Sequence, residues 1–164
     1  MLKLYKKENG ITYYWETWDK DDKTGIIHCG EIGQTGESKE IRSGLFSSFR
    51  KVIQKEIDQK IKEGFIEIDI EEHFTLLIEY LVDDEGAADD VDKRHRLQDR
   101  VDSLLGWTGL GHCDGGSIGS GTMEVCCYVV DFDVAKQTIE KDLANTEFGN
   151  YTRVFDGMLT ENKS

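Results

Sequence analysis

The chain has 164 residues, 38% hydrophobic and 32% charged, with a formal net charge of −13. That length suits one domain or two small ones, and there is no run of about 18 apolar residues to form a membrane-spanning helix. The charge is lopsided: residues 1–70 carry 12 Lys/Arg against 13 Asp/Glu, and residues 71–164 carry 8 against 20, so the second half repels nucleic-acid phosphates and draws basic partners.

No proline occurs, so glycines and acidic clusters punctuate the chain. Residues 1–43 read as strands. The aromatic, alternating "TYYWETW" is a half-buried strand, preceded by a hairpin-type "ENG" turn and followed by "DKDDKTG" as a polar loop. "IIHCGEIG" and "ESKEIRS" are two further short strands. The period then changes. Phe46, Phe49, Val52, Ile53, Ile57 and Ile61 recur every three or four residues and predict a helix over 45–63, with Ser43 as N-cap and Gly64 just past the end. "FIEIDI" alternates as a strand.

The second half opens with the apolar strand "HFTLLIEYLV" and the acidic segment "DDEGAADDVD". Val91, Leu97, Val101, Leu104 and Leu105 form a helix stripe closed by Gly106. "GLGHCDGG" and "TMEVCCYVV" read as a strand pair around a glycine-rich turn. "DVAKQTIEKDL" is a helix with Asp133 as N-cap, and "NYTRVF" is a last strand. The order β-α-β-β-α-β is that of a ferredoxin-like split βαβ domain. The expected class is α+β, with domains 1–70 and 71–164.

Three stretches of the first half, "YYWETW", "CGEIGQTGESKEI" and "KVIQKEIDQKIKEGFIEI", resemble in order and spacing a WGR domain over residues 13–68. The resemblance implies an antiparallel sheet with one helix and a DNA-contacting Trp-Gly-Arg motif. Here Cys29 stands at the motif Trp, Gly30 is kept and Glu31 stands at the motif Arg. The ring is gone and the cation has become an anion, which turns a phosphate contact into a repulsion. The fold is carried over and the DNA contacts are not. Gly30 and Gly33 read as scaffold glycines of a turn.

The chemistry-bearing clusters are sparse. Cys29, Cys113, Cys126 and Cys127 fit no disulfide framework, and the cytoplasm is expected, because the N-terminus lacks a secretory h-region. His28-Cys29 and His112-Cys113 lack zinc-ligand spacing, and the acidic segment lacks the calcium-loop pattern. Neither a metal nor a cofactor is expected. No nucleophile-base motif is present, and no enzyme is predicted. The glycine-rich run 109–121 offers Trp107, His112, Asp114 and Ser117 as a partner or ligand loop. Asp83, Asp84, Glu85, Asp89 and Asp90 offer an acidic partner face. The function expected is a non-catalytic binding protein that captures a basic protein, in the manner of a bacterial immunity protein against a toxin. The alternatives are a WGR-type DNA-binding regulator acting through the helix with Lys39 and Arg42, and a small-ligand sensor using the 109–121 loop. No membrane partner is expected.

Overall fold

The computed structural model describes residues 1–45, 47–83 and 85–160. Phe46 of the predicted helix stripe and Asp84 of the acidic segment lie outside the described residues. The chain forms two compact units, Met1–Asp69 and a second from Ile70 onward. Each contains an antiparallel four-stranded sheet, so the class is α+β.

In the first unit β1 (Leu2–Glu8), β2 (Ile11–Asp21), β3 (Thr24–Glu31) and β4 (Glu37–Arg42) lie side by side in chain order. Asn9 and Gly10, with φ of 52° and 82°, make the tight first hairpin. The expected loop "DKDDKTG" is instead mostly strand. Its turn is confined to Asp22 and Lys23, and the Asp21 carboxylate accepts from the Lys23 amide at 2.8 Å. That local bond substitutes for a longer connection.

Leu4, Trp15 and Ile27 share one sheet face, where α1 (Phe49–Lys62) lays down Phe49 and Ile53. The helix comes so close that a Cβ on Gly25 would sit 2.4 Å from Ile53 Cδ1. The N-cap is Ser48 and not Ser43, although the Ser43 hydroxyl still accepts from the Phe49 amide at 3.1 Å. At the other end Phe65 N–H donates to Lys60 O and Gly64 N–H to Ile61 O, both at 3.0 Å. This is the paired closure that a glycine after the helix permits. Ile61 is exposed, so the apolar stripe fades before the helix ends. "FIEIDI" is not a strand: only Ile66 bridges, to Tyr5 at 2.7 and 2.9 Å. Ile66 and Ile70 are exposed. The alternating isoleucines have no continuous face to bury against, and alternation alone does not make a strand.

The second unit runs β5 (Phe74–Leu81), α2 (Ala88–Trp107), β6 (Gly111–Gly119), β7 (Thr122–Val129), α3 (Phe132–Leu143), β8 (Arg153–Asp156) and the single turn α4 (Gly157–Thr160). The sheet order is β6-β7-β5-β8, with every neighbouring pair antiparallel. Leu76, Ile78, Tyr80, Met123, Val125, Cys127, Val129 and Val154 alternate onto one face and are buried. α2 covers it over β6 and β7 with Leu97, Val101 and Leu105, and α3 covers it over β5 and β8 with Ala135, Ile139 and Leu143. Val91 and Leu104 are only half-buried. Tyr80 fixes a distant loop by donating its hydroxyl to Phe148 O at 2.7 Å.

Two predicted helix ends move. α2 passes through Gly106 and stops at Thr108, with Leu110 N–H donating to Leu105 O at 2.9 Å around Gly109. The cap of α3 is Asp131, whose carboxylate accepts from Val134 N–H at 3.0 Å, whereas Asp133 lies in the first turn. The side chain two residues earlier reaches the open amide and the predicted one does not.

Candidate functional site

The acidic segment is built against the end of the β6–β7 hairpin. Val82 N–H donates to Gly121 O at 3.0 Å, and Gly86 N–H closes a turn onto Asp83 O at 2.8 Å. Gly86 lies under Ile118, where a Cβ would meet the Ile118 side chain at 2.6 Å. Asp83, Glu85 and Asp89 are exposed. Asp90 contributes to the fold itself, because its carboxylate accepts from Ala87 N–H at 2.8 Å and completes the start of α2. Of the acids expected to form a partner face, Asp90 is thus engaged in capping its own helix, and Asp83, Glu85 and Asp89 present exposed carboxylates.

The glycine-rich stretch is not a loop. From Gly111 to Gly119 it is edge strand β6, with a register shift between Cys113 and Gly116, flanked by turns at Gly109 and at Ser120-Gly121. Its glycines mark close strand approach: a Cβ on Gly116 would sit 2.1 Å from Glu124 O. His112 and Ser117 fall on the sheet face opposite the helices, His112 beside Tyr128 with ring centroids 5.8 Å apart and Ser117 donating to Glu124 at 3.3 Å. Asp114 is at the bulge and exposed, and Trp107 is on the last turn of α2, 49% exposed. The four residues are spread along a strand and a helix end.

Charge pairing separates the two units. In the first, Lys6–Glu8, Lys20–Glu40, Arg42–Glu40, Lys39–Glu56, Arg50–Asp19 and Lys60–Glu63 alternate sign over the surface. On α1, Glu56 meets Lys39 from β4 and Asp58 accepts from Gln54 at 2.9 Å. In the second unit, among the described residues, carboxylates are ion-paired only in Arg96–Glu147, Arg100–Asp142 and Arg153–Glu79. Lys93 instead lies 4.5 Å over the Tyr80 ring and donates to Asn150. Among the described residues, Asp83, Glu85, Asp89, Asp92, Asp99, Asp114 and Glu124 have no cation within ion-pair distance, so the field of the second unit is uncompensated.

At the positions expected to correspond to the Trp-Gly-Arg motif, Cys29 is half-buried and packs beneath α1 with Trp15, its cross-strand neighbour. Burial pushes its thiol up. Glu31 is exposed at the end of β3. A Cβ on Gly30 would lie 3.0 Å from Gly36 Cα, so that glycine accommodates a backbone crossing.

Sequence reading missed a buried, hydrogen-bonded polar group of the first unit. On the sheet face away from α1, Glu16 and His28 are register partners. His28 Nδ1–H donates to Glu16 Oε1 at 2.7 Å, Tyr14 O–H donates to His28 Nε2 at 3.1 Å, and Lys3 Nζ approaches Glu16 Oε2 at 3.2 Å. This tautomer is the one that satisfies both ring nitrogens. The order carboxylate–imidazole–hydroxyl resembles a proton relay. The phenol is 1% exposed, however, and burial followed by the Glu16 charge raises its pKa, with a Gly36 backbone hydrogen bond opposing. A neutral, enclosed phenol holds register and offers no nucleophile. The available signal was Glu16, a lone acid at an inward position of an aromatic strand.

The chain matches no protein-family model, no curated protein and no solved structure. Among the described residues, no helix is long and apolar enough to cross a membrane. The functional reading therefore rests on the chain's own residues.

Proposed function

We propose that the protein is a non-catalytic binding protein whose acidic second unit captures a basic protein partner, with an immunity protein against a basic toxin as the concrete form. The observation that carries this is the imbalance of charge: the first half has nearly equal numbers of cations and anions, whereas the second has 20 acids to 8 bases, and among its described residues only three carboxylates are ion-paired. An uncompensated field of one sign raises the encounter rate of an oppositely charged protein and selects against nucleic acid.

The DNA-binding alternative has less support. Of the cations it would use, Lys39, Arg42, Arg50 and Lys60 are each engaged by a carboxylate, and the exposed Lys51, Lys55 and Lys62 are interleaved along the helix with Glu56, Asp58 and Glu63. The ligand-sensor alternative is weakened because its loop is a paired strand. For the first unit, a four-stranded meander with one helix on one face supports the WGR-like reading. For the second, the central placement of β5 and β7 under two helices supports the ferredoxin-like one.

The test is affinity capture from native lysate with the wild-type chain and with a variant carrying Asp83→Asn, Glu85→Gln, Asp89→Asn and Asp92→Asn. The expected result is one stoichiometric basic protein that survives nuclease treatment, weakens with salt and is lost from the variant. Recovery that disappears with nuclease, or that the variant retains in full, overturns the reading.

A further inference from the structure

Cys29, Cys113, Cys126 and Cys127 are all free thiols. Strand alternation sends Cys126 and Cys127 to opposite faces, and Cys127 turns inward to complete burial. Its register partner is Cys113 on β6, half-buried, with the two Sγ atoms 2.7 Å apart.

The ladder fixes what kind of pair this is. Val130 N–H donates to Leu110 O at 3.0 Å, so the 110/130 pair is hydrogen-bonded. Bonded and non-bonded pairs alternate along an antiparallel ladder. The 112/128 pair is then bonded and the Cys113/Cys127 pair is not. Cys113 N–H accordingly points out from the edge and donates to the Asp102 carboxylate on α2 at 2.9 Å. Non-bonded pairs hold their Cα atoms about 4.5 Å apart, inside the span of about 4.4–6.8 Å that a disulfide bridges. Cys126 faces away from this pair, and Cys29 belongs to the other unit.

We propose that Cys113 and Cys127 are an oxidative modification site, which closes to an intramolecular cross-strand disulfide when the protein meets a low-molecular-weight disulfide such as oxidised glutathione. Half-exposed Cys113 is the entry sulfur. Its thiolate attacks one sulfur of oxidised glutathione, forming a mixed disulfide and expelling one glutathione thiolate, which takes up a proton. Cys127 then loses its proton and attacks Cys113 Sγ, breaking the mixed disulfide and expelling the second glutathione. Two protein thiols lose two electrons and two protons, and one oxidised glutathione becomes two reduced ones. In the reduced pair the hydrogen bond with Cys113 and burial both hold Cys127 protonated. The product ties the bulged edge strand to β7 and restricts the unfolded chain.

The test is equilibration of the full-length protein in reduced/oxidised glutathione mixtures, followed by acid quench, alkylation, intact mass and peptide mapping. The expected result is loss of two alkylatable thiols and of about 2 Da from the unalkylated protein. The linked peptides should contain Cys113 and Cys127, and the thermal midpoint should rise and fall again with reductant. Cys126→Ser keeps the bridge, and Cys113→Ser abolishes it without altering the inward-facing sulfur. Four thiols still alkylated at the most oxidising ratio, a bridge mapped to Cys126 or Cys29, or an equal oxidation of Cys113→Ser overturns the proposal.

Discussion

Glu16 is 5% exposed because Lys3 compensates its charge from one side and His28 Nδ1–H donates to it from the other. Taking one member out of such a buried group leaves the others unmatched. Glu16→Leu is therefore expected to cost about 2–4 kcal/mol in a denaturant midpoint, because Lys3 is partly exposed and recovers some hydration. Glu8→Gln removes the exposed partner of Lys6 and should change stability by less than about 1 kcal/mol. Gly36→Ala attacks the same network sterically. Its Cβ would lie 1.9 Å from the Tyr14 hydroxyl oxygen and 2.7 Å from the Cys29 carbonyl. One of these obstacles is backbone and cannot rotate away, so a loss of about 1–3 kcal/mol is expected. A stable Gly36→Ala protein would mean that the 32–36 turn moves freely off the sheet.

At the scale of elements, the end of α2 separates two neighbouring glycines by sign. Gly106 lies inside the helix, and a Cβ there meets nothing within 4 Å. Gly106→Ala should stabilise by about 0.5–1 kcal/mol through helix propensity. Gly109 takes φ of 69° in the turn that lets Leu110 bond back to Leu105. Gly109→Ala should destabilise by about 1 kcal/mol, because a side chain is strained in that conformation. Thermal melts of the two variants check both signs. The sequence pattern located α2 and its buried Leu97, Val101 and Leu105, because apolar spacing is a property of the helix itself. It misplaced the terminating glycine by three residues. The choice between Gly106 and Gly109 depends on where the chain must turn to enter β6. Asp131 and Asp133 differ in the same way: both are good capping residues, and only the backbone path shows which one is outside the helix.

At the scale of the molecule, the two units differ in electrostatic design. The first has nearly equal numbers of cations and anions, whereas the second has 20 acids to 8 bases, counted from residue 71 on. Self-repulsion of this kind is screened as the Debye length falls to about 10 Å at 0.1 M salt. Hydrogen exchange in β5 and β7 should therefore slow when salt rises from about 0.01 M to 0.15 M. Exchange in β2 and β3 should change little, since the Glu16 network is enclosed and the exposed pairs are balanced. Equal responses in both sheets would mean that the acidic excess is compensated locally, and would remove the basis for electrostatic capture.

The sequence by itself determined the α+β class, the three long helices, most of the strands and the charge asymmetry. These are written in residue type and in periods of two and 3.6. Tertiary structure decided what alternation leaves open. "FIEIDI" alternates but has no continuous sheet face to join, so it stays outside the sheet apart from one bridge. The run from Gly109 to Gly121 is glycine-rich like a loop, but close pairing with β7 makes most of it a strand. His28, Glu16, Tyr14 and Lys3 come from three strands, as Cys113 and Cys127 come from two. Register between distant strands brings them within hydrogen-bonding or bonding reach, and register is a property of the assembled sheet.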